Sequence, residues 1–257
     1  MSSTEPGVVD LRDRVVLLTG GSRGIGAASV RALRRAGAQV FFTYRDRAAE
    51  AEALCRELGD GVASAQVDLG DPAALPGIVD GCVARFGGLD VLVNNAGTFA
   101  ENPFDGDDLA AWRAGWRRTF EVNLFGAADL AWLAMRVMRA RGEGAIVNVA
   151  SRAAHRGELT FADYGASKAA LVNLTKSIAR SCAGDGIVAF AVAPGFVETD
   201  MAAGEIALRG AAIAAEIPLG RITSAEDVAH VVAFLCTPLA RHLNGATLDV
   251  NGGSYVR

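Results

Sequence analysis

The stretch Thr19-Gly20-Gly21-Ser22-Arg23-Gly24-Ile25-Gly26 decides the fold, because it joins a short apolar run to a helical pattern. The run before it, Val15-Val16-Leu17-Leu18, does not alternate with polar residues, which is typical of a strand covered on both faces. Glycines at such a junction let the backbone turn tightly and approach a pyrophosphate, and the following helix offers free N–H groups. We therefore predict a nucleotide-binding loop. Its spacing is G-x-x-x-G-x-G rather than the more common G-x-G-x-x-G, so a plain strand–helix turn is the alternative.

Outward from this loop, short apolar runs alternate with longer helical patterns. The predicted strands cover residues 14–19, 39–44, 62–67, 91–94, 145–149, 187–192 and 247–250. The predicted helices cover residues 24–36, a segment ending at 57, and residues 72–86, 107–120, 124–141, 164–182 and 225–235, whereas residues 195–217 are expected to be irregular. This repetition, with right-handed crossovers, predicts an α/β single-domain Rossmann fold, in which a doubly wound parallel sheet of about seven strands has helices on both faces. Residues 1–10 are expected to be a flexible tail, and residues 11–257 one domain.

The composition excludes several classes of protein. The 257 residues carry a net charge of −4 and form no basic stripe, so we expect no nucleic-acid partner. Four widely spaced cysteines without a CxxC pair indicate reduced thiols, and three scattered histidines predict no metal site. The polar N-terminus does not resemble a signal peptide, and no run reaches the roughly 18 apolar residues of a membrane span. We therefore expect a cytoplasmic protein without membrane contact.

The end of the second predicted strand indicates which dinucleotide the loop would take. NAD-binding sites of this kind place an acidic side chain there to accept a hydrogen bond from the ribose 2′-hydroxyl. This chain has Tyr44 followed by Arg45 at that position, and Arg23 can approach from the glycine loop. Because an arginine pairs with a 2′-phosphate whereas a carboxylate repels it, these residues favour NADP(H). Asp46 and a solvated Arg45 leave NAD(H) as the alternative.

Tyr164 and Lys168 are four residues apart, so on a helix both lie on one face. A phenol with a pKa of about 10 exchanges protons poorly at neutral pH, and a nearby ammonium lowers that pKa. Ser151 follows the fifth predicted strand and can donate a hydrogen bond to a substrate oxygen as negative charge develops there. Each residue alone is common as a surface pair or a helix cap. Together with the cofactor loop, they predict proton exchange at a carbonyl or hydroxyl group.

The chain resembles the classical short-chain dehydrogenase/reductase family over nearly its whole length. The motifs that carry the resemblance are, in chain order, the glycine loop, Asp68-Leu69, Asn94-Asn95-Ala96-Gly97, Asn123, Ser151, Tyr164-Gly165-Ala166-Ser167-Lys168, Pro194-Gly195 with Thr199, and Val250-Asn251-Gly252-Gly253. The resemblance implies catalytic roles for Asn123, Ser151, Tyr164 and Lys168. It implies that Asn123 anchors a chain of water molecules that carries protons to Lys168.

The resemblance also implies how a nicotinamide cofactor lies in the site. Asp68 and Leu69 would hold the adenine, Lys168 the ribose hydroxyls, and Thr199 the nicotinamide carboxamide. The cofactor would carry the hydride, and the protein would supply position and electrostatic field. The expected cofactor-binding residues are Gly20, Ser22, Arg23, Gly24, Ile25, Gly26, Tyr44, Arg45, Asp68, Leu69, Asn95, Ala96, Gly97, Tyr164, Lys168, Pro194, Gly195, Val197 and Thr199.

Within the family, residues 194–201 and 218–221 look most like those of 3-oxoacyl-acyl carrier protein reductases. Those reductases place basic residues at two surface positions that here hold Gly142 and Asp185, although nearby Arg139 and Arg141 can compensate in part. Docking an acidic carrier protein requires complementary charge, so a small-molecule ketone, aldehyde or secondary alcohol is favoured and the carrier protein is the alternative partner. A non-catalytic cofactor sensor or scaffold on the same fold is a third hypothesis.

The resemblance also implies a substrate pocket and self-association. Residues 195–217, rich in alanine, would form a lid over the substrate. The family usually assembles through its long helices, so we expect a homodimer or a homotetramer. The expected pocket walls are Phe99, Ala153, His155, Phe161 and Phe196.

Overall fold

A computed structural model of the chain describes residues 9–200 and 202–257. Residues 1–8 of the predicted flexible tail lie outside the described residues. Val9 is described, and it packs against the hydrophobic core. Asp10 accepts hydrogen bonds from the backbone N–H of Arg12 at 3.0 Å and from its guanidinium at 2.6 Å. The described end of the predicted tail is therefore held by local contacts.

All the strands in the described part of the chain belong to one sheet. They are β1 (Val15–Leu18), β2 (Gln39–Tyr44), β3 (Val62–Gln66), β4 (Val91–Asn94), β5 (Gly144–Val149), β6 (Ile187–Pro194) and β7 (Thr247–Val250). Their order is β3-β2-β1-β4-β5-β6-β7, and every neighbouring pair is parallel. Leu17 of β1 pairs with Phe41 of β2 on one side and with Leu92 of β4 on the other. The chain order therefore reverses between β1 and β4, and the predicted doubly wound sheet is confirmed.

Helices cover both faces of this sheet. They are α1 (Gly24–Arg35), α2 (Ala48–Leu58), α3 (Leu75–Phe86), α4 (Leu109–Phe120), α5 (Gly126–Arg141), α6 (Ala153–Arg156), α7 (Ala162–Ser181), α8 (Ala203–Ala215) and α9 (Ala225–Leu235). One face packs on α1, α2 and α9 through side chains such as Val30, Leu54 and Val232. The other face packs on α3, α5 and α7 through side chains such as Ile78 and Leu130. No helix among the described residues is long and apolar enough to cross a membrane.

Three segments differ from the prediction. Most of the stretch expected to be irregular forms α8, because its alanines favour a helix, although the backbone leaves helical geometry at Arg209 with φ −142° and ψ 26°. The predicted break between two helices is instead a wide π turn at Glu121–Phe125 that joins α4 to α5. Finally, the short helix α6 begins two residues after Ser151.

A buried polar chain ties the centre of the sheet to α7. The side-chain amide of Asn94 donates to Asn148 Oδ1 at 2.9 Å and to the carbonyl oxygen of Ala127 at 3.2 Å. The amide of Asn148 donates to Thr175 Oγ1 at 2.8 Å, and that hydroxyl donates to the Leu171 carbonyl at 2.9 Å. Because buried polar groups are destabilising without partners, these bonds favour one arrangement of β4, β5 and α7.

Candidate active site

A cleft of about 1160 Å³ opens at the carboxyl ends of the strands. Parallel α/β sheets bind ligands at this edge, next to the point where the strand order reverses. The glycine loop and the residues that follow β2, β3, β4, β5 and β6 all contribute to the lining. Every residue that the sequence predicts to bind the cofactor lines this cleft.

The glycine loop has the backbone geometry that a pyrophosphate requires. Gly20 and Gly24 have φ values of 71° and 52°, in the region that favours glycine. A Cβ at Gly20 would lie 3.0 Å from Ala96 Cα, and one at Gly24 would lie 3.0 Å from Thr199 Cγ2. No side chain in the described ranges caps the N-terminus of α1, so its first N–H groups are available to an anion. The residues present therefore fit a dinucleotide.

Hydrogen bonds between the ends of β1 and β4 fix the position of the glycine loop. The side-chain amide of Asn95 donates to the carbonyl oxygens of Thr19 and Gly20 at 2.9 and 3.0 Å. Thr19 Oγ1 accepts from the backbone N–H groups of Asn95 and Ala96, each at 3.0 Å. These bonds fix the glycine loop after β1 relative to the loop that follows β4.

Two arginines that line the cleft, Arg45 after β2 and Arg23 in the glycine loop, form exposed ion pairs. Arg45 Nε contacts Asp46 Oδ2 at 2.6 Å, and Arg23 Nη1 lies 3.5 Å from Asp200 Oδ2. Exposed pairs of this kind contribute little free energy, so an incoming phosphate competes well for both arginines. The half-buried Tyr44 is the last residue of β2, where an NAD-binding site would have an acidic side chain.

Asp68 presents an ordered carboxylate at the end of β3. The backbone N–H of Gly70 and the guanidinium of Arg118 hold the pKa of Asp68 below its ordinary value. The Asp68 carboxylate lies 2.9 Å from both of these groups. Beside it, Leu69 is buried in the core on which α3 and α5 pack. Asp68 and Leu69 thus place a hydrogen-bond acceptor and an apolar surface side by side, which suits a purine.

Tyr164 and Lys168 lie on one face of α7, as their spacing predicts. Lys168 Nζ lies 5.8 Å from the centre of the Tyr164 ring and donates a hydrogen bond to the carbonyl oxygen of Val149 at 2.8 Å. Burial lowers the pKa of Lys168 to about 8. The ammonium is therefore fixed at the end of β5 by one backbone carbonyl and keeps further donors for a ligand.

The pKa of Tyr164 departs from the direction that the sequence predicts. Burial raises the pKa of Tyr164 above its ordinary value, and the hydrogen bond with Ser151 lowers it by less. Lys168 was expected to dominate, but its charge is also buried and is engaged by the Val149 carbonyl. The phenol is therefore held in its protonated form, which is the form that can give a proton to a carbonyl oxygen.

The π turn between α4 and α5 positions the buried side chain of Asn123. Its Oδ1 accepts from the backbone N–H of Thr98 at 2.7 Å, and its amide donates to the Thr98 carbonyl and to Ser167 Oγ, each at 3.1 Å. A Cβ at Gly97 would lie 3.3 Å from Asn123 Oδ1 and 3.4 Å from Lys168 Nζ. Asn123 and Lys168 therefore flank the same glycine, and π turns often occur at such functional sites.

A buried carboxylate fixes the start of α7. Asp163 Oδ2 accepts from Thr119 Oγ1 of α4 at 2.7 Å, and Asp163 Oδ1 accepts from the backbone N–H of Tyr164 at 2.9 Å. The amide of Asn102 lies 3.5 Å from the same carboxylate. These contacts restrict the backbone that carries Tyr164. Asp163 and its two partners, Thr119 and Asn102, are not among the predicted site residues.

Four of the five predicted pocket walls line the cleft. Phe99 and Phe161 stack with ring centres 3.9 Å apart, and Phe99 meets the Tyr164 ring edge-on at 4.9 Å. Ala153 and Phe196 line the cleft on the side of β5 and β6. The phenol therefore faces a pocket with an apolar, aromatic wall.

His155 does not line the cleft, contrary to the prediction. Its ring stacks with Tyr255, with ring centres 6.3 Å apart, and the Tyr255 hydroxyl donates to the His155 carbonyl at 3.2 Å. His155 lies on helix α6, which directs its side chain toward Tyr255 near the C-terminus. Burial lowers the pKa of His155 below its ordinary value.

Four arginines that are not among the predicted site residues also line the cleft. They are Arg47, Arg152, Arg156 and Arg209. Arg156 Nε lies 3.8 Å from Glu158 Oε1, and Arg209 Nε contacts Glu205 Oε2 at 2.6 Å. Arg209 is contributed by α8, which the sequence did not predict. The one available signal was the position of Arg152 directly after Ser151.

Known proteins resemble this chain along almost all of its length. A family model described as "Enoyl-(Acyl carrier protein) reductase" matches residues 20–255. A cis-4-hydroxycyclohexanecarboxylate dehydrogenase of Sinomonas cyclohexanicum is 40% identical over 94% of this chain and 96% of its own length. The 3-oxoacyl-acyl-carrier-protein reductase FabG of Escherichia coli is 35% identical over 96% of this chain and 100% of its own length. The crystal structure of a short-chain dehydrogenase/reductase, glucose/ribitol dehydrogenase, from Brucella melitensis matches with a TM-score of 0.89 and 32% identity, covering 96% of this chain and 99% of that chain.

The doubly wound sheet and the glycine-lined cleft at its carboxyl edge, taken with these relatives, define the class of protein as a dinucleotide-binding oxidoreductase. The chain belongs to the short-chain dehydrogenase/reductase family, so the resemblance seen in the sequence is confirmed. It is an enzyme that acts on CH–OH or C=O groups and uses a nicotinamide cofactor.

The lowered pKa of Lys168 predicts that stability rises with pH. The unfolded lysine keeps its proton to about pH 10.5, whereas the native lysine releases it near pH 8. Between these values the unfolded state binds more protons, so the free energy of unfolding increases with pH. The gain in the free energy of unfolding from Lys168 is complete above pH 10.5 and is lost as the pH falls through about 8.

Urea midpoints between about pH 7 and pH 10 measure the effect, with Lys168→Met as the reference. The wild type should gain stability relative to the variant as the pH rises. Parallel curves for the two proteins would contradict the lowered pKa.

Proposed function

We propose that the protein reduces a small ketone or aldehyde to an alcohol, or catalyses the reverse reaction, with NADP(H). The observation that carries the proposal is the convergence of Ser151, Tyr164 and Lys168 on the cleft that the glycine loop also lines. The nicotinamide supplies or accepts the hydride when bound. The side chains of the protein handle the proton and the charge on the oxygen.

Tyr164 is the proton donor in this proposal. Its half-buried, protonated phenol gives its proton to the substrate oxygen as negative charge develops there. Ser151 donates a second hydrogen bond to the same oxygen, which stabilises the transition state. The ammonium of Lys168, 5.8 Å from the ring centre, stabilises the phenolate that remains. Asn123 anchors the water molecules that return a proton to Lys168.

The charges beside β2 support NADP(H) as the cofactor. Arg45 and Arg23 both line the cleft, and Tyr44 stands where a carboxylate would select NAD(H). Arginine binds a phosphate bidentately, and a charge-assisted pair of this kind is stronger than the exposed pairs that Arg45 and Arg23 make with Asp46 and Asp200. NAD(H) is the alternative cofactor.

Surface charge supports a free small molecule rather than a protein-bound substrate. Asp185 occupies a position where carrier-protein reductases have a basic residue, and it pairs with Arg139 at 2.7 Å. Arg141 lies 3.1 Å from the buried Asp90. Because carboxylates of this chain already engage both arginines, their attraction for an acidic carrier protein is weakened.

Reduction of a 3-oxoacyl group on an acyl carrier protein is the second candidate. It is favoured by the Escherichia coli relative, which is named for that reaction. The Sinomonas relative is more similar in sequence and is named for a free ring alcohol, which favours the small-molecule proposal. Both candidates interconvert a ketone and an alcohol, so the same side chains serve either one.

We also propose that the protein forms a homodimer or homotetramer in the cytoplasm. Four large apolar side chains on or beside α4 and α5 are half or more exposed, and exposed apolar patches often mark interfaces. They are Phe104, Leu109, Phe125 and Trp132. The four cysteines are free thiols, in keeping with a reducing compartment.

Steady-state kinetics discriminate between the candidates. The purified protein is assayed with NADPH and NADH against cyclohexanone, 4-oxocyclohexanecarboxylate and a carrier-bound 3-oxoacyl thioester. We expect turnover of a free ketone. Turnover of the thioester alone would support the second candidate, and tight cofactor binding without any turnover would support a non-catalytic sensor.

Replacing Tyr164 by phenylalanine should lower kcat by roughly 100- to 10,000-fold, because the proton donor is removed. The Kd for NADPH, measured by fluorescence titration, should stay within about twofold. The matched control is Tyr255→Phe, which removes the same hydroxyl outside the cleft and should leave kcat unchanged. Wild-type turnover by the Tyr164 variant would rule out the proposed proton donor.

Replacing Arg45 by aspartate should lower the ratio of kcat/KM for NADPH to that for NADH by about tenfold or more, because a carboxylate repels the 2′-phosphate. Arg56→Asp on α2 makes the same change of charge outside the cleft and serves as the control. If both variants keep the wild-type ratio, the phosphate is bound elsewhere.

A further inference from the structure

Arg152 is a buried cation that the proposed chemistry does not use. It lines the cleft directly after Ser151, and only 5% of its surface is exposed. Its backbone N–H donates to the Pro194 carbonyl at 2.9 Å, and its Nη1 donates to Ser254 Oγ at 2.9 Å. The guanidinium carbon lies 4.7 Å from the centre of the Phe196 ring. These contacts hold the guanidinium in one orientation.

The charge of Arg152 is not matched by a carboxylate of the described chain. Every other arginine that lines the described cleft lies within 3.8 Å of a carboxylate oxygen, and these are Arg23, Arg45, Arg47, Arg156 and Arg209. Arg152 has no such pair within the described ranges, and its guanidinium makes a single side-chain hydrogen bond there although it carries several donors. No nitrogen of Arg152 is both inaccessible to solvent and without a hydrogen-bond partner. Because Arg152 lines the cleft, we infer that its remaining N–H groups face the cleft.

This arrangement is unfavourable for the protein alone. Burial lowers the pKa of Arg152, because desolvation disfavours a charge. An apolar side chain of similar length would pack against Phe196 without that penalty. A buried cation with free donors at a ligand cleft therefore indicates a ligand that supplies negative charge. A carboxylate matches a guanidinium best, since two N–H groups bind its two oxygens.

We propose that Arg152 is a specificity-determining residue that binds a carboxylate of the substrate, so that the substrate is an oxo acid and the product a hydroxy acid. This inference rests on the proposed reduction of a small carbonyl compound. The reacting carbonyl lies at Ser151 and Tyr164, and the carboxylate lies on the side of Phe196 and Ser254. The hydrocarbon between them contacts the apolar walls of the pocket.

A matched pair of ketones tests the inference in the wild-type protein. 4-Oxocyclohexanecarboxylate and its methyl ester have the same reacting carbonyl and differ in charge. We expect kcat/KM to be about tenfold or more higher for the acid, because the ester cannot form the charge-assisted pair. Equal values for acid and ester would overturn the inference and leave the proposed reductase activity standing.

Variants of Arg152 assign the preference to this residue. Arg152→Met should lower kcat/KM for the acid by about 10- to 100-fold, mainly through KM, and leave the ester within about threefold. Arg152→Gln keeps a donor for Ser254 and should show the same selective loss. Arg156→Gln, which removes a cleft arginine that is already paired, is the control and should keep the wild-type ratio of acid to ester.

A purely structural role for Arg152 gives different results. It would reduce turnover of acid and ester equally and lower the Tm, which would overturn the inference. If Arg152 is a ligand-binding residue, Arg152→Met should have a Tm at least as high as the wild type, since an unpaired buried charge is removed. Should the methionine variant fail to fold, the glutamine variant decides on the kinetic ratio alone.

A binding measurement covers the case in which no ketone is turned over. That result would defeat the proposed function, but cyclohexanecarboxylate with NADP⁺ can still be titrated against the wild type and Arg152→Gln by thermal shift. Stabilisation of the wild type that the variant loses would support the carboxylate site. No stabilisation of the wild type would overturn it.

Discussion

Four hydrogen bonds among Thr19, Gly20, Asn95 and Ala96 join the loops that follow β1 and β4. The order of the strands reverses between these two strands, so the helices that follow them pack on opposite faces of the sheet and leave a cleft at its carboxyl edge. The glycine loop stands on one side of this joint, and the Lys168 ammonium at the end of β5 stands on the other. Without the joint, the distance between the dinucleotide-binding loop and the reacting side chains would not be fixed.

Much of this arrangement can be predicted from the sequence, because local signals and the need for burial agree. β2, β4, β7 and α9 have the predicted bounds, since each is an apolar segment of suitable length between glycines or polar residues. The cleft is also foreseen, because its glycine loop and the spacing of Tyr164 and Lys168 are local features. The family motifs then extend the prediction to residues that lie far apart in the chain.

The features that could not be predicted from the sequence depend on how distant residues pack together. The direction of the Tyr164 pKa shift depends on how far the fold removes the phenol and the ammonium of Lys168 from water. The position of His155 depends on its contact with Tyr255, which lies 100 residues later in the chain. That Arg152 forms no ion pair among the described residues becomes evident only when the carboxylates around each cleft arginine are known. In each case a side chain's behaviour is set by groups that are distant in the sequence.

The wide turn between α4 and α5 determines how one continuous helical rod contacts the rest of the molecule. Such a turn holds one residue more than a regular turn, so every later side chain is rotated by about 100° around the axis. Before the turn α4 packs on α7, and after it α5 packs on α3 and the sheet. A single added residue thus lets the two halves of one rod face different neighbours. Deleting any one residue there would swing the whole apolar stripe of α5 away from the strands that it covers.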